Sequence, residues 1–201
     1  MERELDSKRF EHTLGVEFTA AALAMRYGAD VLSAQTAGLL HDCAKCLSDE
    51  KKISICEKNN ITISDVERAN PGLLHAKVGG FLAMSEYGIE DSSVINAIIN
   101  HTTGRPGMDL LEKIIFTADY IEPGRRTAPH LGEIRYVAFT DLDQALLWIL
   151  EDTLNYLSDG SQEIDPMTEQ TYRYYSARIT VDRELRKAAE AHHVQESRYD
   201  E

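Results

Sequence analysis

The stretch Gly38-Leu39-Leu40-His41-Asp42-Cys43-Ala44-Lys45 places a histidine and an aspartate side by side at the end of an apolar run. On an α-helix, neighbouring side chains lie about 100° apart around the axis, so His41 and Asp42 can lean into one cavity between helices. Such a pair is a poor way to fill a core, because buried polar groups need partners. It is a good way to hold a cation. The sequence therefore predicts a fold arranged around these two residues.

Apolar residues recur at helical spacing along most of the chain, and no segment shows a convincing β pattern. The first helix is predicted from Ser7 to Tyr27, with Gly28 as its stop, and the second from Asp30 to about Lys45. Further helices are predicted at about 51–57, 76–87, 94–100, 109–119 and 142–157, and from about 167 onward. We expect an all-α fold: one compact helical bundle over residues 1–180, then a charged C-terminal tail at 181–201 that is helical or frayed.

Composition narrows the class of protein. The chain has 201 residues, of which 43% are hydrophobic and 27% charged, as in an ordinary globular domain. A formal charge of −13 disfavours a nucleic-acid surface, which needs clustered lysine and arginine. The absence of a run of 18 apolar residues predicts no membrane span, and the first residues lack the apolar region of a signal peptide. We expect a cytoplasmic protein; the oligomeric state stays open, with a homodimer among the alternatives.

Six histidine and aspartate residues stand at wide intervals, in the order His-x28-His-Asp-x32-His-x25-His-x17-Asp. Taken singly, each is more often a satisfied core or surface residue than a ligand. Taken together, they favour a metal site, because imidazole with carboxylate suits iron, manganese, zinc or nickel. The candidate ligands are His12, His41, Asp42, His75, His101 and Asp119.

The cysteines allow a second interpretation of the same region. Cys43 and Cys46 form a C-x-x-C pair, which is typical of redox motifs and of half a zinc site. A redox motif would follow a strand, and a structural zinc would need four matched ligands. Neither context is visible, so we interpret these thiols, with Cys56, as packing or partly exposed groups without a function.

The order of His12, His41-Asp42 and Asp119 resembles that of HD-domain metal-dependent phosphohydrolases. His75 and His101 are similar to the extra histidines of the subgroup able to hold two metals. Three motifs resemble the YqeK-type family of bacterial symmetrical bis(5'-nucleosyl)-tetraphosphatases: His-Asp-x-Ala-Lys at 41–45, His-Thr-Thr-Gly at 101–104 and Ala-Asp-Tyr-Ile-Glu-Pro-Gly-Arg at 118–125. The similarity spans about residues 8–178. It implies an HD-domain helical bundle that cleaves diadenosine tetraphosphate to two ADP by metal-activated water.

The same resemblance implies the ligand set and the cofactor. His12, His41, Asp42 and Asp119 would be the primary ligands, and His75 and His101 would complete a second metal position or contact phosphate. The cofactor would be one or two iron ions, with manganese or another divalent transition metal as alternatives.

The resemblance also implies which residues contact the substrate. Phosphate would be bound by Lys45 and Arg125, and the backbone at Gly15 would approach the nucleotide. Thr102, Thr103 and Gly104 would contact phosphates or ribose, and the nucleoside pocket would be lined by Asp165, Pro166, Met167 and Thr168. Two departures leave the nucleoside preference open: Asp165 stands where the family pattern has histidine, and the expected Arg-Asn pair near Tyr172-Arg173 is missing.

Catalytic roles are predicted for Asp42, Lys45 and Arg125 on chemical grounds, and the resemblance implies one for Asp119. Asp42 is suited to bridge two metals, and Arg125 can bind phosphate through two parallel hydrogen bonds. As alternatives, Arg125 forms a surface salt bridge and Lys45 interacts with a helix dipole. Other functions compatible with this ligand set are a different HD-domain nucleotide phosphohydrolase, such as a nucleotidase or guanosine tetraphosphate hydrolase, a mixed-valence di-iron oxygenase, and a non-catalytic nucleotide sensor.

Overall fold

The computed structural model describes residues 5–160 and 163–196, with side chains described as far as residue 181. Within these ranges every regular element is a helix, as the sequence predicts. Ten α-helices and one short 3₁₀ turn, Pro71–Leu74, follow one another. The helices are α1 Ser7–Tyr27, α2 Val31–Leu40, α3 Asp49–Lys58, α4 Asp65–Ala69, α5 His75–Ser85, α6 Ser92–Asn100, α7 Leu110–Ile121, α8 Leu131–Val137, α9 Leu142–Ser158 and α10 Pro166–Glu196.

Short polar residues fix where the helices begin. The side chains of Asp6 and Asp30 accept hydrogen bonds from the first turns of α1 and α2. A reciprocal capping box between Asp109 and Glu112 starts α7. Gly28 ends α1 with a left-handed φ of 74°. These local signals fix where the long helices α1 and α7 lie along the sequence.

The core lies around α7, which packs against α1, α2, α6 and α9. Ile114 and Ile115 of α7 are fully buried, together with Leu23 of α1 and Leu146 and Leu150 of α9. Burying each such side chain contributes about 1.5–3 kcal/mol relative to leaving it exposed. The polar candidates of the sequence lie on α1 and α7 and at the ends of α2, α5 and α6.

One predicted boundary is wrong. Helix α2 ends at Leu40, and residues 41–46 form consecutive turns instead of continuing the helix to Lys45. Here backbone N–H groups donate three residues back, from Cys43 to Leu40 at 3.0 Å and from Lys45 to Asp42 at 2.9 Å. The prediction also missed α8, which begins after His130 without a side-chain cap.

The end of the chain is helical as far as it is described. The backbone of α10 passes the predicted boundary at residue 180 and continues to Glu196. Residues 197–201 of the predicted tail, and residues 1–4, lie outside the described residues. The division into domain and tail stays a prediction. Among the described helices, none has the length and apolar character needed to cross a membrane.

Candidate metal centre

The six candidate ligands come from five helices and converge. His12 lies within α1 and Asp119 within the last turn of α7, while the other four stand at helix ends. His41, Asp42 and His101 directly follow α2 and α6, and His75 is the first residue of α5. Two groups of side chains have ligand atoms within 4.8 Å of one another: His12 with His41 and Asp42, and Asp42 with His75 and His101. Asp119 Oδ1 lies 3.1 Å from His12 Nε2 and joins the first group.

Each candidate imidazole is oriented by a hydrogen bond from its Nδ1 atom, which leaves Nε2 for the centre. The Nδ1 atoms of His41, His75 and His101 lie 2.6–2.7 Å from the carbonyl oxygen three residues earlier in the chain. A carbonyl only accepts, so each Nδ1 carries the proton and donates it. His12 Nδ1 donates in the same way to Glu122 Oε1 at 3.2 Å. All four Nε2 lone pairs are therefore directed into the cluster, in the tautomer that binds metals.

Asp42 lies between the two groups and is shared by both. Its Oδ2 atom is 3.6 Å from His41 Nε2, whereas Oδ1 is 3.3 Å from His75 Nε2 and 3.6 Å from His101 Nε2. The side chain is buried. A carboxylate with its two oxygens facing different imidazole groups has the arrangement required to bridge two metal ions.

The centre contains facing acceptors, which fit a cation. His12 Nε2 faces Asp119 Oδ1 at 3.1 Å, and His75 Nε2 faces His101 Nε2 at 3.1 Å. Among the described residues, His12 Nε2, His41 Nε2 and Asp42 Oδ1 are buried without a hydrogen-bond partner. Buried acceptors without a partner are costly, and a bound divalent metal satisfies several of them at once. The donor set therefore suits a metal, and it contains no thiolate.

Burial and neighbouring charges keep most of the candidate ligands in the protonation state that binds a metal at neutral pH. Burial lowers the pKa of His41 to about 4, and burial together with the neighbouring His101 and Lys45 charges lowers the pKa of His75. Burial alone would raise the pKa of Asp42, but the neighbouring imidazoles of His101, His75 and His41 bring it far below its usual range. Neutral imidazoles and an ionised carboxylate are the protonation states that bind metal.

His12 differs from the other histidines. Burial works to lower its pKa, but the neighbouring Asp119 carboxylate, with Glu122 in support, outweighs burial and raises it. A proton on His12 Nε2 uses the lone pair that would otherwise bind a metal. Metal binding at this group is therefore expected to release a proton.

Three cationic side chains border the ligands. Lys45 Nζ donates to His75 Nε2 at 3.2 Å, and burial lowers the pKa of this lysine. Arg125 Nη2 donates to the backbone oxygen of Asp119 at 3.0 Å, and its Nε atom is buried without a partner. The third is Arg9, whose Nη1 atom donates to Asp42 Oδ2 at 2.7 Å. Two of these cations are those named from the sequence, and both lie beside the centre.

Two clefts adjoin the centre at different ligand groups. The first, here called the arginine cleft, has a volume of about 740 Å³ and reaches His12. It is lined by the cations Lys8, Arg9, Arg125 and Arg126, with Gly15 and Gly124. The second, here called the threonine cleft, has a volume of about 220 Å³ and is lined in part by Thr102, Thr103, Asp165 and Met167. Thr102 Oγ1 lies 3.3 Å from His75 Nε2 and 3.1 Å from His101 Nε2, so one residue of this cleft contacts the other group.

The remaining substrate-contact candidates are placed less directly. Gly104 is buried, and a Cβ there would lie 2.8 Å from Thr171 Cγ2 at a φ of 64°, so this glycine allows the turn to pack against α10. Thr168 is also buried, and Pro166 is exposed as the first residue of α10. Asp165 accepts a hydrogen bond from Met167 N at 2.8 Å, which orders the start of that helix. Substrate contact by these residues stays a prediction.

Glu122 is a residue of this site for which the sequence motifs predict no role. Its side chain is buried and accepts hydrogen bonds from His12 Nδ1 and, at 2.5 Å, from Gly124 N. A Cβ at Gly15 would come 2.5 Å from Glu122 Oε2, so the absence of a side chain at Gly15 makes room for this carboxylate. The motif Glu-Pro-Gly-Arg was visible in the sequence, but the partner of its glutamate lies 110 residues earlier.

Cys43, Cys46 and Cys56 form no disulfide with one another and lie outside the two ligand groups. Cys43 and Cys56 are buried, and Cys46 is exposed with its Sγ atom 3.7 Å from Asp6 Oδ2. Among the described residues, neither group with metal-binding geometry contains a thiol.

Comparison with known proteins agrees with the geometry. A family model described as "HD domain" matches residues 9–124. A protein of Bacillus subtilis (strain 168) named "Bis(5'-nucleosyl)-tetraphosphatase, symmetrical" is 41% identical over 174 residues, covering 87% of this chain and 92% of that protein. A protein of Halalkalibacterium halodurans with the same name is 43% identical over 168 residues, covering 84% of this chain and 89% of its own.

A solved structure shows the same fold. The crystal structure of a "predicted HD superfamily hydrolase involved in NAD metabolism" from Clostridium acetobutylicum superimposes with a TM-score of 0.85 at 44% sequence identity. The match covers 88% of this chain and 93% of that one. The all-α fold and the resemblance stated from the sequence motifs are both confirmed. The chain belongs to the HD-domain family of hydrolases, in the branch that contains the symmetrical bis(5'-nucleosyl)-tetraphosphatases.

Proposed function

We propose that this protein hydrolyses diadenosine tetraphosphate symmetrically to two ADP in a metal-dependent reaction. The observation that carries the proposal is the Asp42 carboxylate, shared by two groups of imidazoles whose lone pairs face one another. The printed names of the Bacillus subtilis and Halalkalibacterium halodurans relatives support the substrate and the symmetrical cleavage.

We propose His12, His41, Asp42 and Asp119 as ligands of one metal, and His75 and His101, with Asp42, as ligands of a second. Four imidazoles and two carboxylates without a thiolate suit iron, manganese, zinc or nickel. We propose iron, which the family resemblance implies, with manganese or another divalent transition metal as alternatives. When bound, such a metal supplies an acidified water and a Lewis acid for a phosphoryl oxygen. Glu122 holds the His12 ring in the tautomer that this role requires.

The cations beside the centre are suited to phosphoryl transfer. Negative charge develops on the phosphoryl oxygens and the departing oxygen when a phosphoanhydride is cleaved, and fixed donors stabilise it. Lys45 Nζ already donates to His75 Nε2 at 3.2 Å, and substrate phosphate can take over as its acceptor. Arg125 is held through the Asp119 carbonyl at 3.0 Å, which presents its guanidinium to the arginine cleft. ADP is a stable leaving group, so no side chain is required to protonate it.

The threonine cleft is the proposed place for part of one nucleoside. Hydroxyls of Thr102 and Thr103 offer donors and acceptors to ribose or phosphate, and Met167 offers an apolar face to a base. Asp165, Pro166 and Thr168 shape the start of α10 beside this cleft, and Gly104 allows the adjoining turn. The cytoplasmic location and the homodimer alternative stay predictions.

Two other functions use the same ligands. Another nucleotide phosphohydrolase would share the whole centre and differ only in the clefts. A di-iron oxygenase would have no need of the three cations that border the carboxylates, so Arg9, Lys45 and Arg125 favour a phosphate substrate over oxygen.

Product analysis tests the proposal. Protein purified without oxygen and loaded with iron or manganese is incubated with diadenosine tetraphosphate, and the nucleotides are separated by chromatography. The expected result is ADP alone. AMP with ATP, or orthophosphate, would assign a different hydrolase, and oxygen consumption without ADP would assign an oxygenase.

Two variants separate metal binding from phosphate binding. Asp42→Ala is expected to lose metal and activity together while its helical circular dichroism is kept. Arg125→Ala is expected to keep the metal and lose roughly tenfold or more in kcat/KM, because it removes a charge-assisted phosphate contact. Full activity of Asp42→Ala, or loss of metal from Arg125→Ala, would contradict these assignments.

A further inference from the structure

Each of the two clefts is linked to a different ligand group of the metal centre. His12 lines the arginine cleft and belongs to the first ligand group. Thr102 lines the threonine cleft and lies within 3.3 Å of His75 and His101 of the second group. Asp42 belongs to both groups. A ligand that crosses the centre at Asp42 therefore has one cleft available for each of its ends.

The sizes of the two clefts differ. At about 740 Å³, the arginine cleft lies within the range of about 300–1,000 Å³ that is usual for sites of small molecules. The threonine cleft, at about 220 Å³, is below that range, so it can enclose only part of a nucleotide whose remainder lies over the metal centre. The arginine cleft alone has room for a whole nucleoside diphosphate.

Charge is concentrated in the larger cleft. The whole chain has a formal charge of −13, yet Lys8, Arg9, Arg125 and Arg126 line this one surface. Three acidic residues, Asp6, Glu11 and Glu122, also line it, and two of them already have hydrogen-bond donors. Asp6 accepts from the backbone N–H of Arg9 at 2.9 Å, and Glu122 accepts from His12 and Gly124. Cations outnumber carboxylates on this surface, and two of the carboxylates already accept hydrogen bonds. The surface therefore attracts a polyphosphate.

We propose that the arginine cleft is a second nucleotide subsite, which binds one complete ADP half of the substrate while the other half extends towards the threonine cleft. The scissile bond then lies over Asp42, between the two ligand groups. This proposal rests on the proposed function. It adds that each chain has two non-equivalent ADP sites, one of which depends on Lys8 and Arg126 at the rim of the arginine cleft.

Charge reversal at the rim tests the subsite. Lys8 and Arg126 are exposed, so the double variant Lys8→Glu/Arg126→Glu is expected to fold normally. Lys51→Glu/Lys58→Glu is the matched control, because it makes the same change in net charge at two exposed positions of α3. Metal content and circular dichroism are measured for both variants, and ADP binding to the metal-loaded proteins is measured by calorimetry.

The wild-type protein and the control are expected to bind two ADP per chain, and the rim variant only one. The rim variant is also expected to lose roughly tenfold in kcat/KM for diadenosine tetraphosphate, which corresponds to about 1.4 kcal/mol. A single ADP site in the wild-type protein, or two sites and control-like kinetics in the rim variant, would overturn the subsite. Failure of the wild-type protein to release ADP from diadenosine tetraphosphate would instead overturn the proposed function.

Discussion

Glu112 joins the turn that carries His101 to the start of α7. Its buried carboxylate accepts hydrogen bonds from Arg105 Nε at 2.7 Å and Arg105 Nη2 at 2.5 Å. It also accepts from Asn100 Nδ2 at 2.8 Å and from Asp109 N at 2.7 Å. These four bonds connect both ends of the turn between α6 and α7. The substitution Glu112→Gln keeps the size of the side chain but replaces one acceptor oxygen with a donor.

The size of the effect follows from those contacts. Hydrogen bonds to a charged group contribute roughly 1.5–3 kcal/mol each, and the amide loses the charge and faces at least one donor with another donor. The side chain of Arg105 is 37% exposed, so water recovers part of the loss. We expect a net destabilisation of about 2–3 kcal/mol. For a chain of this length, that corresponds to a decrease in Tm of roughly 5–10 °C.

Thermal unfolding followed by circular dichroism measures the effect, and Glu169→Gln is the control. Glu169 also pairs with an arginine, Arg173, at 3.0 Å, but their side chains are 45% and 76% exposed. An exposed pair of this kind contributes about 0.3–0.5 kcal/mol, so the control is expected to change Tm by less than about 2 °C. Equal changes in Tm for the two variants would refute the reasoning, because they would show that burial of Glu112 adds nothing.

Three further predictions concern the centre and its surroundings. Glu122→Gln is expected to weaken metal binding by about 10–100-fold, because the His12 ring loses its carboxylate partner. The control Glu11→Gln, on the exposed side of α1, is expected to leave metal binding unchanged. Titration against a chelator measures the metal affinity of both variants. Removal of the metal from the wild-type protein is expected to lower Tm by roughly 5–10 °C. The reason is that a ligand at about 100 times its Kd stabilises the native state by about 2.7 kcal/mol. Scanning calorimetry with and without chelator measures this change in Tm. The hydrogen bond to Asp152 raises the pKa of His130 above its ordinary 6.5, so the stabilisation from this pair is complete below pH 6.5 and is lost as pH rises through the raised value. His130→Asn, which tolerates the left-handed φ of 47°, is expected to lower Tm at pH 5.5 and to have no effect at pH 9; the same decrease at both values would contradict this.

The sequence was sufficient to predict the long helices, because their signals are local. The bounds Ser7–Tyr27 of α1 follow from an apolar period and a stop at Gly28, and both depend on neighbouring residues only. The same holds for the start of α7 after Asp109. The candidate ligands could be singled out because imidazoles and carboxylates interrupt otherwise apolar helices, where nothing local explains them.

The contributions of Glu122 and Arg9 could not be predicted in this way. In the sequence, Glu122 is a polar residue next to a Pro-Gly pair, and Arg9 is one of several charged residues near the start of α1. Their partners, His12 and Asp42, lie 110 and 33 positions away. A single sequence contains no signal for such pairs, because they exist only once α1 has packed against α7 and α2.

The wrong boundary of α2 has a physical explanation in the centre itself. Residues 41–46 contain no glycine or proline, and local propensity favours a continued helix. The turns retain backbone hydrogen bonds, from Cys43 to Leu40 at 3.0 Å and from Lys45 to Asp42 at 2.9 Å, so leaving the helix forfeits little. In return, the two Asp42 oxygens face different histidines, at 3.6 Å from His41 and 3.3 Å from His75. The contacts of the Asp42 carboxylate with both ligand groups therefore outweigh the helical propensity of residues 41–46 in setting the backbone conformation here.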